Sequence, residues 1–286
     1  MTKIALISRV AAHAPYLERG VRQKEVRQVQ TPFGKSNPIH VFQHGNMEFA
    51  VMSRHGEESY AVSASSVEEK ANIWALKVMG VEKIISFDAV GSLKPGLAPG
   101  ELLLLEDVVD LRGEPYSLFE GKGLGFIRLN PLFCPEGRQV AWQHMSEAQF
   151  TPQVGGTYAC TRGPRMDTRA ESSAYAAMGA SVVGQALIPE VFVAKELELC
   201  YTAIGYVAYW ADGVQDRDFR AGVPFEGLLT PEEAQKVEMI EKALPTFFME
   251  WLVDLIEQPR GCPCKDTMLR YKKRGDISED WKQWIR

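Results

Sequence analysis

Apolar and polar positions recur along this chain with two periods, and the switches between them outline an α/β protein. Residues 3 to 7 form a short unbroken apolar run, a first strand. Residues 21 to 60 alternate with period two around the turn Thr31 to Gly34 and the hairpin signal Gln43 to Asn46, which predicts antiparallel strands. The last of these, Phe49 to Met52, ends in Ser53-Arg54-His55-Gly56. From 67 to 79 the period becomes helical, with Ile73, Trp74, Leu76 and Val78 among the apolar positions. Val81 to Phe87 is a buried-strand run ending in Asp88 to Gly91, and Glu101 to Val109 is another after the Pro99-Gly100 turn. Residues 111 to 135 read as a long loop with aromatics and Pro131, and 136 to 150 as a helix.

Thr157 to Thr161 alternates like a strand, Gly163-Pro164 breaks it, and Asp167 or Thr168 stands where the N-cap of a helix from Ala170 to Met178 belongs. Ser181 to Val183, a helix from Glu190 to Leu199 after Pro189, and a strand from Tyr201 to Tyr209 follow. The longest helical pattern runs from Pro231 to Glu257, opened by Thr230 as N-cap and by Glu232 and Glu233. The tail, 258 to 286, is charged and has no core of its own; Trp281 and Trp284 suit it to packing on the body or on a neighbouring subunit.

The 286 residues suffice for one large α/β domain or two small ones, and 45% hydrophobic content with 10% aromatics can fill a core. Net charge is −5, with 32 basic and 37 acidic residues scattered, so neither nucleic acid nor an anionic membrane finds an electrostatic footprint. A small-molecule partner is the expectation. No signal peptide opens the chain and no apolar run reaches a membrane span, so a cytoplasmic setting is expected. The five cysteines are an odd number without metal-ligand spacing, and Cys134, Cys160 and Cys200 sit in apolar surroundings that suit buried free thiols. Cys262-Pro263-Cys264 is too tightly spaced for an ordinary structural zinc pair; it is either a coincidence in an exposed loop or a redox-sensitive clip of the tail. His13, His40, His44 and His144 show no partner pattern either, so no metal is expected.

Three segments in unbroken order carry a resemblance: Arg54-His55-Gly56 with the run Ala71 to Lys77; Gly91-Ser92-Leu93 with Pro99-Gly100; and Gly163-Pro164-Arg165 through Glu171-Ser172, with Pro189-Glu190 and Ala194-Lys195-Glu196. Over roughly residues 1 to 215 the chain resembles the trimeric nucleoside phosphorylases, most closely the 5′-methylthioadenosine phosphorylase branch. The resemblance implies one domain over residues 1–286, α/β with a central mixed β-sheet flanked by helices, of the nucleoside phosphorylase type. It also implies a homotrimer or homohexamer, with the 111–135 loop leaning over a neighbour's site. The implied activity is phosphorolysis of a purine nucleoside, with phosphate as co-substrate and no cofactor.

Carried over residue by residue, the resemblance places Arg54 and His55 at phosphate, with Ser8 and the Ala89 backbone beside them. Gln185 falls at the ribose and Met166 and Asp167 at the base, while Asp212, one residue past the family's acid, is with Asp88 a catalytic candidate and Tyr209 and Trp210 are candidate substrate contacts. The loop after the first strand, Ser8 to Ala11, lacks the family's glycines and has Val10 at its hydroxyl position. Asp88 replaces a phosphate-binding threonine, Gly184-Gln185-Ala186 replaces Asn-Met-Thr, and the two base-side acids of the family correspond to Tyr209 and Ala211. Asp88 beside Arg54 is expected to have a lowered pKa, from the opposite charge. Two alternatives follow: a hydrolase in which Asp88 takes the place of phosphate, or a binding protein for a planar ligand held between Tyr209, Trp210 and Met166. For Asp167 the alternative is helix capping. Arg169 and Glu171 are expected to hold the turn to the helix.

Overall fold

The computed structural model describes residues 2–9, 11–58, 61–114, 116–147, 150 and 152–285. In chain order they form β1 (Ile4–Ser8), α1 (Ala14–Glu18), β2 (Arg22–Arg27), β3 (Gln30–Thr31), β4 (Gly34–Lys35), β5 (Ile39–His44), β6 (Met47–Ser53), α2 (Glu69–Val78), β7 (Lys83–Ser92) and β8 (Leu102–Asp110). Then come α3 (Pro135–Glu147), β9 (Gln153–Cys160), α4 (Arg169–Ala177), β10 (Val182–Gly184), α5 (Leu187–Glu196), β11 (Cys200–Trp210), α6 (Pro231–Glu257) and α7 (Leu269–Arg274).

One mixed sheet runs β10-β9-β8-β11-β7-β1-β6-β5-β2, with β3 and β4 paired separately. Parallel pairings join β1 to β6 and to β7, and β7 to β11; β2, β5 and β6 form the antiparallel flank expected from their alternation. The sheet also closes on itself. The short β10 pairs parallel with β9 and antiparallel with the far end of β7, Val182 opposite Ser92 and Val183 opposite Gly91. β7, β11, β8, β9 and β10 therefore form a small barrel, and the ends of β7 and β10 meet at its rim.

The two sheet faces bury separate cores. One is covered by Ile73 and Leu76 of α2, Val191 and Val193 of α5, and Met268, Tyr271, Ile277 and Trp284 of the tail. Trp281 packs edge-on against Trp74 at 4.9 Å, and Lys272 pairs with Glu198 at 2.6 Å. The other is covered by Val140 and Met145 of α3 and by Ile240, Leu244, Phe248, Trp251 and Leu255 along α6. Each such fully buried side chain contributes about 1.5–3 kcal/mol.

Local chemistry sets the element ends. Thr230 caps α6 through a box with Glu233, and Thr168 caps α4 through a box with Glu171. The cap of α4 is thus Thr168, and Asp167 is left to face elsewhere. Ile188 is extended (φ −108°, ψ 132°) ahead of Pro189, as a residue before proline prefers, so regular α5 geometry starts only at Pro189. In β11 a bulge between Val207 and Tyr209 breaks the alternation, and Ala208 and Tyr209 both pack toward the α6-side core.

Candidate active site

Three parallel neighbours end side by side: Ser8 of β1 lies opposite Ser53 of β6, and β7 continues past β1 to Asp88. Arg54 follows β6 and is 2% exposed. Its Nε donates to Glu190 Oε1 at 2.6 Å, and its Nη2 donates to Glu190 Oε2 and to Ser86 Oγ, both at 3.0 Å. Tyr201 O–H donates to the same carboxylate at 2.6 Å. Glu190 of α5, not Asp88, is therefore the main counterion. Asp88 Oδ1 lies 3.8 Å from Arg54 Nη1, and that buried nitrogen has no hydrogen-bond partner among the described residues.

Asp88 corrects the expectation of a lowered pKa. Burial pushes its carboxyl up, and the opposing pull of Arg54 and of the Tyr158 hydroxyl is smaller. Tyr158 is a site residue that the sequence reading missed. Its hydroxyl donates to Asp88 Oδ2 at 2.7 Å and accepts from the Ala186 backbone N–H at 3.1 Å. It thereby bridges the two positions where phosphate-binding hydroxyls were expected. The alternation of 157 to 161 carried a signal, since it sets Tyr158 in phase with the inward face, but nothing local marked what it meets. Gly184 makes room: a Cβ there would collide with the phenol oxygen.

Around this pair, Ser8 Oγ donates to the Phe87 carbonyl at 3.3 Å, and Ala89 is the half-buried position next to Asp88. Arg9 turns to Glu241, with Nη2–Oε2 at 2.8 Å, and Val10 lies outside the described residues. His55 Nδ1 lies 3.1 Å from the Val62 carbonyl, and burial followed by the Arg54 charge lowers its pKa.

Beyond the barrel rim opens a cavity of about 380 Å³ whose lining includes Met166, Asp167, Arg169, Asp212, Phe219 and Phe225. Met166, Asp167 and Asp212, expected around a base, do converge here. Asp167 accepts a weak bond from Tyr175 O–H at 3.4 Å, and burial, then the Glu171 charge, raises its pKa. Asp212 lies 3.8 Å from Arg169, which faces the cavity, while Glu171 holds the turn by capping α4 and pairing with Arg165. Tyr209 stacks on Phe225 with centroids 4.5 Å apart, and its ring fills the space that a side chain at Gly91 would need. Burial raises its hydroxyl pKa, with the Asp167 and then the Asp88 charge adding to the shift.

Two expected contacts lie elsewhere. Trp210 is buried and its indole N–H donates to Glu233 of α6 at 3.0 Å, because consecutive strand residues point to opposite sides. Gln185 donates to the Arg165 carbonyl at 2.8 Å and so braces the turn before α4.

Residues 3–224 match the model of the phosphorylase superfamily. The chain belongs to that superfamily. A probable 6-oxopurine nucleoside phosphorylase of Thermococcus kodakarensis is 31% identical over 276 residues, covering 94% of this chain and 98% of its own. The S-methyl-5′-thioadenosine phosphorylase of Pyrococcus horikoshii is 34% identical over 250 residues, covering 86% and 91%. A methylthioadenosine phosphorylase from an antarctic soil metagenomic library superposes with a TM-score of 0.83 at 24% identity, covering 99% of this chain and 97% of its own, which extends the shared fold into the tail. In this member of the superfamily a buried guanidinium, Arg54 beside Asp88, lies at the end of β6, and a separate cavity is lined by the acids Asp167 and Asp212. Among the described residues no helix is long and apolar enough to cross a membrane.

The cysteines and histidines depart from their sequence reading. Cys262 and Cys264 are 4% and 0% exposed, so the exposed-loop reading is overturned, and they converge with Cys134 and Cys200 into one buried group. His13 stacks on His40 at 3.9 Å and Glu57 hydrogen-bonds His40, a second group of potential ligands.

Proposed function

We propose that this chain cleaves the N-glycosidic bond of a purine nucleoside with phosphate as nucleophile, and that 5′-methylthioadenosine is among its substrates. A phosphate oxygen attacks C1′, the bond to the base breaks through an oxocarbenium-like state, and the electron pair leaving with the base is neutralised by a proton. The observation that carries this reading is Arg54: a buried guanidinium, gripped on one edge by Glu190, whose remaining Nη1 lacks an acceptor among the described residues. A pre-oriented, desolvated donor of this kind is an oxyanion receptor. His55, Ser8 and the Ala89 amide complete the anion end. Asp167, whose pKa burial raises, serves the departing base as proton donor, with Met166 and Asp212 beside it in the cavity, Tyr209 stacked on Phe225 of the lining and Gln185 positioning the turn.

With its proton on, Asp88 donates to phosphate in place of the family's threonine hydroxyl. No cofactor enters this chemistry. The same proposal places the protein in the cytoplasm as a homotrimer or homohexamer; Phe219, 77% exposed at the cavity, and Phe126, 83% exposed on the 111–135 loop, are apolar surfaces that a neighbouring subunit would cover.

The test is release of free base from methylthioadenosine, adenosine and inosine by purified protein, with and without phosphate, with the mass measured by light scattering. Release that requires phosphate is expected. The second reading, hydrolysis with ionised Asp88 activating water, rests on the same carboxyl lying 3.8 Å from Arg54. Release without phosphate that is lost in Asp88→Asn would establish it instead.

A further inference from the structure

We propose that Cys134, Cys200, Cys262 and Cys264 bind one zinc ion as a closed tetrathiolate site. The four sulfurs come from three separated segments: the residue preceding α3, the first residue of β11, and the stretch after α6. All four Sγ atoms lie within 4.8 Å of one another, and Cys200 and Cys262 Sγ are 3.3 Å apart. A zinc–sulfur bond of about 2.3 Å requires sulfur–sulfur edges of about 3.8 Å in a tetrahedron, which falls inside that range. The tight spacing of Cys262 and Cys264 is accommodated because Cys262 is extended (φ −69°, ψ 158°) and Cys264 lies in the 3-10 turn that follows. The two sulfurs thus reach the same centre.

The surroundings supply an independent argument. Lys195 is 2% exposed, and among the described residues its ammonium makes one hydrogen bond, to Cys264 Sγ at 3.8 Å. Burying an ammonium beside neutral thiols is costly; beside a thiolate it is compensated. Arg260 Nε likewise donates to Cys200 Sγ at 3.4 Å. Zinc with four thiolates carries two negative charges, and these two donors match them. Lys83 and Glu136 also face the sulfurs, with opposite charges, and offset each other. N–H to sulfur contacts of this kind orient thiolate ligands and hold them deprotonated. Zinc is the ion assigned, because a dry S4 tetrahedron suits a soft-ligand, geometrically undemanding cation and leaves no open position for catalysis. The site is structural: it ties the chain beyond α6 to α3 and β11, next to the lysine of α5.

The test uses full-length protein purified under reducing conditions without chelator. Elemental analysis is expected to find one zinc per chain, released as an organomercurial titrates four thiols. Replacement by cobalt is expected to give thiolate-to-cobalt charge-transfer bands and the intense visible bands of a tetrahedral ion, a readout that needs no variant. Cys264→Ser is expected to lose the metal and Cys160→Ala to keep it, while Lys195→Met weakens zinc by about 10- to 100-fold. Metal-free protein that refuses added zinc with all five thiols titrating overturns the proposal. So does a form in which the four cysteines are paired as disulfides and only Cys160 titrates. Iron in place of zinc overturns the assigned ion.

Discussion

Replacing Asp88 by asparagine isolates the proton on which the proposed anion site turns. A phosphate oxygen accepting from Arg54 Nη1 would sit beside Asp88 Oδ1, itself 3.8 Å from that nitrogen. At a separation of about 4 Å and an effective dielectric near 20, one ionised carboxylate repels one phosphate charge by about 4 kcal/mol, a factor of about 10³ in affinity. The protonated carboxyl instead donates a hydrogen bond. Because burial raises the folded pKa of Asp88, the proton is held at pH values where a free aspartate has lost it, and apparent phosphate affinity falls as pH rises through that pKa. The carboxamide of the Asp88→Asn variant keeps an acceptor for Tyr158 and a permanent donor for phosphate. The variant's KM for phosphate is expected to equal the wild type's at low pH, to lie well below it at high pH, and to lose the alkaline rise. The assay is base release from methylthioadenosine against phosphate concentration across a pH series. The ratio of the two KM values is the quantity read, since phosphate's own ionisation cancels in it. A ratio that does not change with pH, or loss of phosphate-dependent turnover in a folded variant, would refute the argument.

Glu190→Gln removes the carboxylate that grips Arg54 and leaves a buried guanidinium without its main counterion, so denaturant unfolding is expected to show a loss of about 3–5 kcal/mol; a change below about 1 kcal/mol would mean the pair is not buried as described. Gly184→Ala drives a methyl group into the Tyr158 hydroxyl and is expected to lower kcat/KM by about 10²-fold through the displaced phenol, with unchanged kinetics as the contrary result. Trp210→Phe is expected to cost about 1 kcal/mol of stability through the lost bond to Glu233 while kcat/KM holds; a large KM increase in a stable variant would return Trp210 to the pocket. Glu69 is raised by burial from 4.5 to about 7, so the native state binds a proton that the unfolded chain releases in that window, and stability should decline as pH rises from 4.5 to 7. Thermal melts of Glu69→Gln should show a flatter profile over the same range, and parallel profiles would remove Glu69 as the cause.

The elements of this protein were legible in its sequence because they depend on near neighbours. The helix 231–257 was bounded correctly at both ends by its cap and its periodicity, and the strand-turn-helix around Gly163-Pro164 was marked by a proline, a glycine and two candidate caps, Asp167 and Thr168, between which the structure chose Thr168. The ordered motifs also located Arg54, His55, Asp88, Met166, Asp167 and Asp212 as candidates; the fold sets Arg54 beside Asp88 and gathers Met166, Asp167 and Asp212 on one cavity. Tertiary structure alone decided which groups meet. Glu190 reaches Arg54 across 136 residues, Tyr158 reaches Asp88 across 70, and four cysteines assemble from three segments, separations that no local spacing encodes. It also decided charge. Attraction to Arg54 argued for a lowered Asp88 pKa from sequence, but desolvation is a property of the finished core, and there it outweighs the pair.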